Sequence, residues 1–217
     1  MKTDSELKQD VLAELKWEPS INAAHIGVEV EDGVVTLAGH VDSFAEKWAA
    51  EVATQRVMGV KALAVEIDVR LAGSAKRNDG DIARSAANIL DWTASLPKDS
   101  VKVLVQDGWV TLTGDVSWEF QRQAAGAAVR HLMGVTGLSN NIVLDPAVSL
   151  SVVKSDIEAA LKRRATTDAR HIEVEVHGTD VTLTGTVHSW SERDLAMSSA
   201  WGTPGVKNVV DRLTTTY

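Results

Sequence analysis

Apolar residues recur at a spacing of four near the start of the chain, at Leu7, Val11 and Leu15. The spacing returns at Ile82, Ala86 and Leu90, and again at Val153, Ile157 and Leu161. A step of four keeps one stripe on one face, so the pattern predicts three amphipathic helices. After each helix the period changes to two: Ile26/Val28/Val30, Val101/Val103/Val105 and Ile172/Val174/Val176, with mostly polar residues between. Period two predicts a strand with one buried face. Asp32-Gly33 and Asp107-Gly108 then separate this strand from a second alternating run. Such pairs favour a two-residue hairpin, whose turn positions both need positive φ. In the third stretch Gly178-Thr179 stands there, a weaker turn signal.

The return strands carry Val35 and Leu37, Val110 and Leu112, and Val181 and Leu183. A two-residue turn sets Val30 opposite Val35 and Val28 opposite Leu37, so inward residues meet inward ones. A second helix follows Val41, Val116 and Val187. Ser43-x-x-Glu46 and Ser189-x-x-Glu192 are capping boxes at its start, and Ser117 is expected to cap the middle one without a matching Glu. Alanines such as Ala49, Ala50, Ala53, Ala124, Ala125 and Ala128 allow this helix close to a sheet, and Gly59, Gly134 and Gly205 stop it. A last strand closes each stretch: Leu63/Val65/Ile67, Leu138/Asn140/Ile142 and Val209/Asp211/Leu213.

The landmarks fall into register. TLAGHV, TLTGDV and TLTGTV place Gly39, Gly114 and Gly185 at offsets of 75 and 71 residues, and Gly59-Val60, Gly134-Val135 and Gly205-Val206 keep the same offsets. Self-similarity of this kind marks a repeat architecture. The fold class is α+β: three tandem αββαβ modules over residues 1–70, 79–145 and 150–217. Each is predicted to be a three-stranded mixed sheet with two helices on one face, its third strand parallel to a neighbour through a right-handed crossover. A unit of about 65 residues is near the lower limit for independent stability, so contact between modules is expected.

Charge and chemistry then narrow the function. The net charge of −8 is uneven, with −6 in residues 1–72 and −1 in each of 73–147 and 148–217. That argues against nucleic acid as a partner and steers any anionic surface toward the last two-thirds of the chain. The absence of Cys excludes thiolate metal sites, disulfides and cysteine nucleophiles. No transmembrane segment is expected, because no apolar run reaches spanning length. The N-terminus lacks a signal-peptide pattern, which reads as cytoplasmic, or as periplasmic if the chain is a processed mature form.

No catalytic constellation emerges. The repeated glycines lack a phosphate-loop pattern and read as strand ends or close backbone approaches. His25 and His40 are expected opposite each other across strands, and His171 and His177 on one outward face, too few ligands for a zinc centre. No metal and no cofactor are expected, and the chain reads as no enzyme. Trp17 and Trp92 follow the first helices and read as packing caps. Trp118 and Trp190 enter the second helices beside Arg122 and Arg193, and an indole beside a cation suits a headgroup region, a partner surface or a contact between modules. Lys162, Arg163 and Arg164, with Arg170 near, form the densest basic cluster, fitted to a helix C-terminus or an anionic lipid.

The motif T-L-x-G-x-V, a basic residue in the second helix (Lys47, Arg122, Arg193), the alanines, the Gly-Val pair and the element order resemble the BON domain, three times over nearly the whole chain. The resemblance implies a non-enzymatic protein, associated with the envelope and with osmotic or membrane stress, that contacts phospholipid. Expected partners are therefore an anionic phospholipid surface or a protein, through Trp118, Arg122, Trp190, Arg193, Lys162, Arg163 and Arg164. Two other readings remain open: an ATP-independent stress chaperone, and a small-cation sensor using Glu29, Glu31, Asp32 and Asp68.

Overall fold

The computed structural model describes residues 2–145, 154–164 and 172–215. Val153, Arg170 and His171, and the side chains of Leu161, Lys162, Arg163 and Arg164, lie outside the described residues. The first module runs α1 (Asp4–Trp17), β1 (Ile26–Glu31), β2 (Val34–Val41), α2 (Phe44–Gln55) and β3 (Ala62–Val69). The second repeats it as α3 (Asp79–Trp92), β4 (Val101–Gln106), β5 (Trp109–Val116), α4 (Glu119–Arg130) and β6 (Gly137–Leu144). The third is α5 (Lys154–Arg164), β7 (Ile172–His177), β8 (Asp180–Val187), α6 (Trp190–Trp201) and β9 (Asn208–Thr215).

Each module holds a separate three-stranded sheet with the return strand in the centre. The hairpin pair is antiparallel, with Val30 opposite Val35 and Val28 opposite Leu37, and the third strand is parallel to the second. The third module keeps this register, with His177 opposite Asp180, so Gly178-Thr179 also turns in two residues, with Gly178 at φ 63° and Thr179 not at positive φ, unlike the Asp-Gly pairs. The predicted stripes are the core. Leu7, Val11 and Leu15 are buried against Val28, Val35, Leu37, Ala50 and Ala53, and Ile82, Ala86 and Leu90 against Val110, Leu112 and Ala125. Ile157 joins Val174, Val181, Leu183, Ala196 and Ala200 in the third core.

The motif glycine has a steric reason. Gly39 and Gly114 adopt φ of 133° and 129°, and a Cβ at either would stand 2.0 Å from the carbonyl oxygen of His25 or Ser100. Only glycine combines that conformation with that approach.

The first two hairpins carry a clasp that the pattern alone did not disclose. The Asp4 carboxylate accepts from the backbone N–H groups of Asp32 and Gly33 at 2.9 and 3.0 Å. Asp79 does the same for Asp107 and Gly108, at 2.9 Å each. The first residue of the first helix thereby ties the helix to the turn.

Capping differs from expectation in the middle module. Ser43 and Ser189 accept from Glu46 and Glu192 N–H as predicted, at 3.2 and 3.1 Å. Ser117 does not cap α4. Trp118 is the N-cap residue, and Gln121 Oε1 accepts from both Ser117 and Trp118 N–H at 3.1 and 3.0 Å. Gln121 thus does what the Glu46 and Glu192 carboxylates do for Asp42 and His188 N–H, while the Gln121 N–H, which a cap hydroxyl would have taken, turns to Trp118 O at 3.1 Å.

Candidate functional site

Four of the residues singled out in the sequence, Trp118, Arg122, Trp190 and Arg193, lie at or beside the junctions between modules. Trp190 begins α6 and packs against the core of the first module, its Nε1 donating to Val60 O at 2.7 Å. Arg193, one turn on, lies 5.1 Å from the centre of that indole and is ion-paired with Asp211. The expected indole–cation pair therefore forms, facing a neighbouring module.

At α4 the pairing is different. Trp118 tilts toward Phe120, with ring centres 6.4 Å apart. Arg122 turns away from Trp118, pairs with Glu119 at 2.8 Å and lies 5.4 Å from the ring of Trp201 at the end of α6. Trp201 in turn packs against both the second and the third cores. Lys47, at the position equivalent to Arg122 and Arg193, donates instead to Ile67 O at 2.8 Å within its own module.

The junction between the first two modules rests on residues that the sequence reading passed over. Phe44 packs against the second core, and Arg130 stacks 3.7 Å from the centre of the Trp48 ring. Arg130 Nε is buried without a hydrogen-bond partner, so the indole face is its contact there. Burial lowers the Arg130 pKa, partly offset by Glu51. Burial raises that of Glu51, against the pull of Lys47 and Arg130. Phe44 and Trp48 lie four apart on the predicted second helix, an apolar pair with no role in its own core, and that was the available signal.

These contacts repeat one geometry. The start of α2 meets the end of α4, the start of α4 meets the end of α6, and the start of α6 meets Val60, just past the end of α2. The contacts run from the first module to the second, from the second to the third and from the third back to the first, so the three modules close a ring. Lys207 adds an ion pair to Asp145 between the third and second modules, at 3.1 Å.

Other candidates fall elsewhere. Trp17 and Trp92 do not cap their modules: they end α1 and α3 with 84% and 88% of their surface exposed. Residues 162–164 form the last turn of α5, and position 163 is the third-module equivalent of 17 and 92. The His25 and His40 rings stack with centres 4.6 Å apart. Glu29, Glu31 and Asp32 line one shallow depression with Asp4 and Lys8, whereas Asp68 faces Arg70 at 3.8 Å. Among the described residues, no three His, Asp or Glu converge on a point that could hold a metal, and no helix is long and apolar enough to cross a membrane.

A family model for the BON domain matches residues 3–70, 78–146 and 149–217. The chain is similar to osmotically-inducible protein Y of Escherichia coli (strain K12), with 32% identity over 143 residues, 64% of this chain and 71% of that protein. It is also similar to a solved structure of CdsD, a structural protein of the type III secretion system of Chlamydia trachomatis. Identity there is 13%, coverage 97% of this chain and 92% of the other, and the TM-score 0.26. For the C-terminal domain of CdsD, identity is 14%, both chains are fully covered (100%), and the TM-score is 0.27. Superpositions this loose bear on neither fold nor function.

Proposed function

This chain belongs to the BON-domain family, and from that premise we propose that it is a non-catalytic osmotic-stress protein that docks on phospholipid headgroups through one rim of its ring. The stress context follows the name of the E. coli relative. The observation that carries the docking reading is the exposure of Trp17 and Trp92 at equivalent positions, 84% and 88%. Position 163, in the last turn of α5, is the equivalent of both in the third module. The ends of α1, α3 and α5 then share a rim carrying two free indoles and the basic run Lys162, Arg163 and Arg164. Indoles settle at the headgroup level of a bilayer, and each basic side chain near an anionic surface contributes about 1 kcal/mol.

Arg122 and Trp190 are assigned to holding the modules together, since their partners belong to another module, and Arg193 backs the Trp190 indole from within its own. The test is flotation of the full chain with vesicles of anionic or zwitterionic phospholipid at low and high salt. Binding is expected to anionic vesicles at low salt, lost on Trp17→Ala with Trp92→Ala, and lost on reversal of Lys162, Arg163 and Arg164 to Glu. Absence of flotation at low salt, or binding indifferent to both sets of changes, refutes the rim.

A further inference from the structure

Each sheet has its return strand in the centre, which leaves β1, β4 and β7 as edges. An edge presents unpaired N–H and C=O groups to any strand that arrives, and a charged side chain on its exposed face guards against pairing. Two of the three edges carry that guard. β1 reads IGVEVE and β7 reads IEVEVH, with the exposed Glu29 and Glu175 at the middle outward position of each. The repeat offsets put Leu104 at that position of β4, VKVLVQ, and it is 56% exposed. β4 contains no acid, and its inward face is less covered too: Val103 is half-buried where its equivalents Val28 and Val174 are buried.

The edge is open along its length. α3 packs over β4, whereas α4, which makes the junctions, lies over β5 and β6. Asp107 and Gly108 both take positive φ, so Gln106 and Trp109 close a two-residue turn as a hydrogen-bonded pair. Alternation along an antiparallel pair then turns the backbone groups of Val101, Val103 and Val105 away from β5. Among the described residues no other backbone group meets them.

These groups fit a copy of themselves. A second β4, antiparallel and centred on Leu104, sets Val103 against Val105 of the second copy and Val105 against its Val103, each pair exchanging both hydrogen bonds. Leu104 meets Leu104 on the axis and Lys102 falls opposite Gln106, so apolar faces apolar and no like charges meet. The same pairing at β1 or β7 brings Glu29 against Glu29, or Glu175 against Glu175, and repulsion opposes it.

We propose that β4 is where a second copy of this chain pairs antiparallel, joining two three-stranded sheets into one of six strands. Strands of six residues bury less than a standard interface does, so the dimer is weak, with a dissociation constant on the order of 0.1 mM. No residue of the rim takes part, so the dimer stands or falls apart from headgroup docking.

Sedimentation equilibrium of the full chain, from about a tenth to ten times that constant, reads the association. A monomer–dimer equilibrium is expected for the parent, weakened about tenfold or more by Leu104→Glu. That variant is expected to fold as the parent does, because Glu already occupies the position in the other two modules. The chain has no cysteine, so Leu104→Cys adds a lone thiol. Residues opposite each other at a non-hydrogen-bonded position lie about 4.5 Å apart at Cα, within disulfide reach. Mild oxidation is therefore expected to link Leu104→Cys chains in pairs. It should leave Val143→Cys chains single, since Val143 is exposed on the same face but at the opposite edge. A parent that stays monomeric throughout overturns the proposal, as does a Leu104→Glu chain that associates like the parent. Equal cross-linking at 104 and 143 also overturns it, because faces then stack and edges do not pair.

Discussion

Trp190→Ala removes the contact by which the third module returns to the first. A fully covered tryptophan buries about 150–250 Å². Trp190 is half-buried against the first core. Roughly 100 Å² is therefore at stake, or about 2.5 kcal/mol at ~25 cal/mol per Å². The hydrogen bond to Val60 O, at 2.7 Å, adds about 1 kcal/mol. The total, roughly 3.5 kcal/mol, lowers the melting temperature of a chain this long by roughly 7–14 °C. Trp190→Phe keeps most of the area and loses only the N–H, so about 1 kcal/mol and roughly 2–4 °C are expected. Differential scanning calorimetry of the full chain at fixed pH and salt reads both. Ring closure also couples the modules, so the Ala variant is expected to split one transition into two. If both variants melt within about 1 °C of the parent, or if Phe costs as much as Ala, the junction does not hold the ring and the reasoning fails.

Two other perturbations test parts of the same architecture. Asp79→Ala frees the N–H groups of Asp107 and Gly108 and is expected to cost about 1–2 kcal/mol. Faster amide exchange should be confined to that turn, with the equivalent amides of Asp32 and Gly33 unchanged. Glu51→Gln tests the buried junction. Burial raises the Glu51 carboxyl pKa, so the folded state holds a proton that the unfolded state releases, and stability falls as pH rises through that window. The Gln variant is therefore expected to melt above the parent at neutral pH and to match it in acid, where Glu51 is protonated in both states. A variant that melts lower at neutral pH shows that attraction to Lys47 and Arg130 outweighs desolvation.

The elements, their order and the hairpin register were legible because each follows from local period. Val28 faces Leu37 in the sheet because a two-residue turn leaves no other register that keeps both inside. What local period does not encode is which exposed apolar residue will find a neighbour far away in sequence. Phe44, Trp48 and Trp201 resemble Trp17 and Trp92 in sequence terms, aromatic residues on or beside helices. Phe44 and Trp201 pack on another module's core and Trp48, still 37% exposed, takes the Arg130 guanidinium of another module on its ring, whereas Trp17 and Trp92 stay bare. The clasp was missed for a related reason: an acid in the first turn of a helix already has a sufficient role against the helix dipole, so Asp4 and Asp79 gave no cause to look for a second. Ser117 misled because serine is the stronger local cap, while Gln121 serves two N–H groups from inside the helix.

Ring closure also orders events during synthesis. The Trp190 indole that completes the flank of the first module stands 130 residues downstream of the carbonyl it caps. On a ribosome the first module emerges and folds with that flank bare, and stays so until the last helix arrives. Chains that stop early, at any point before α6, therefore present an apolar edge that the finished protein hides. Premature termination is expected to produce sticky fragments, and a mere shortening of the ring is not an available outcome.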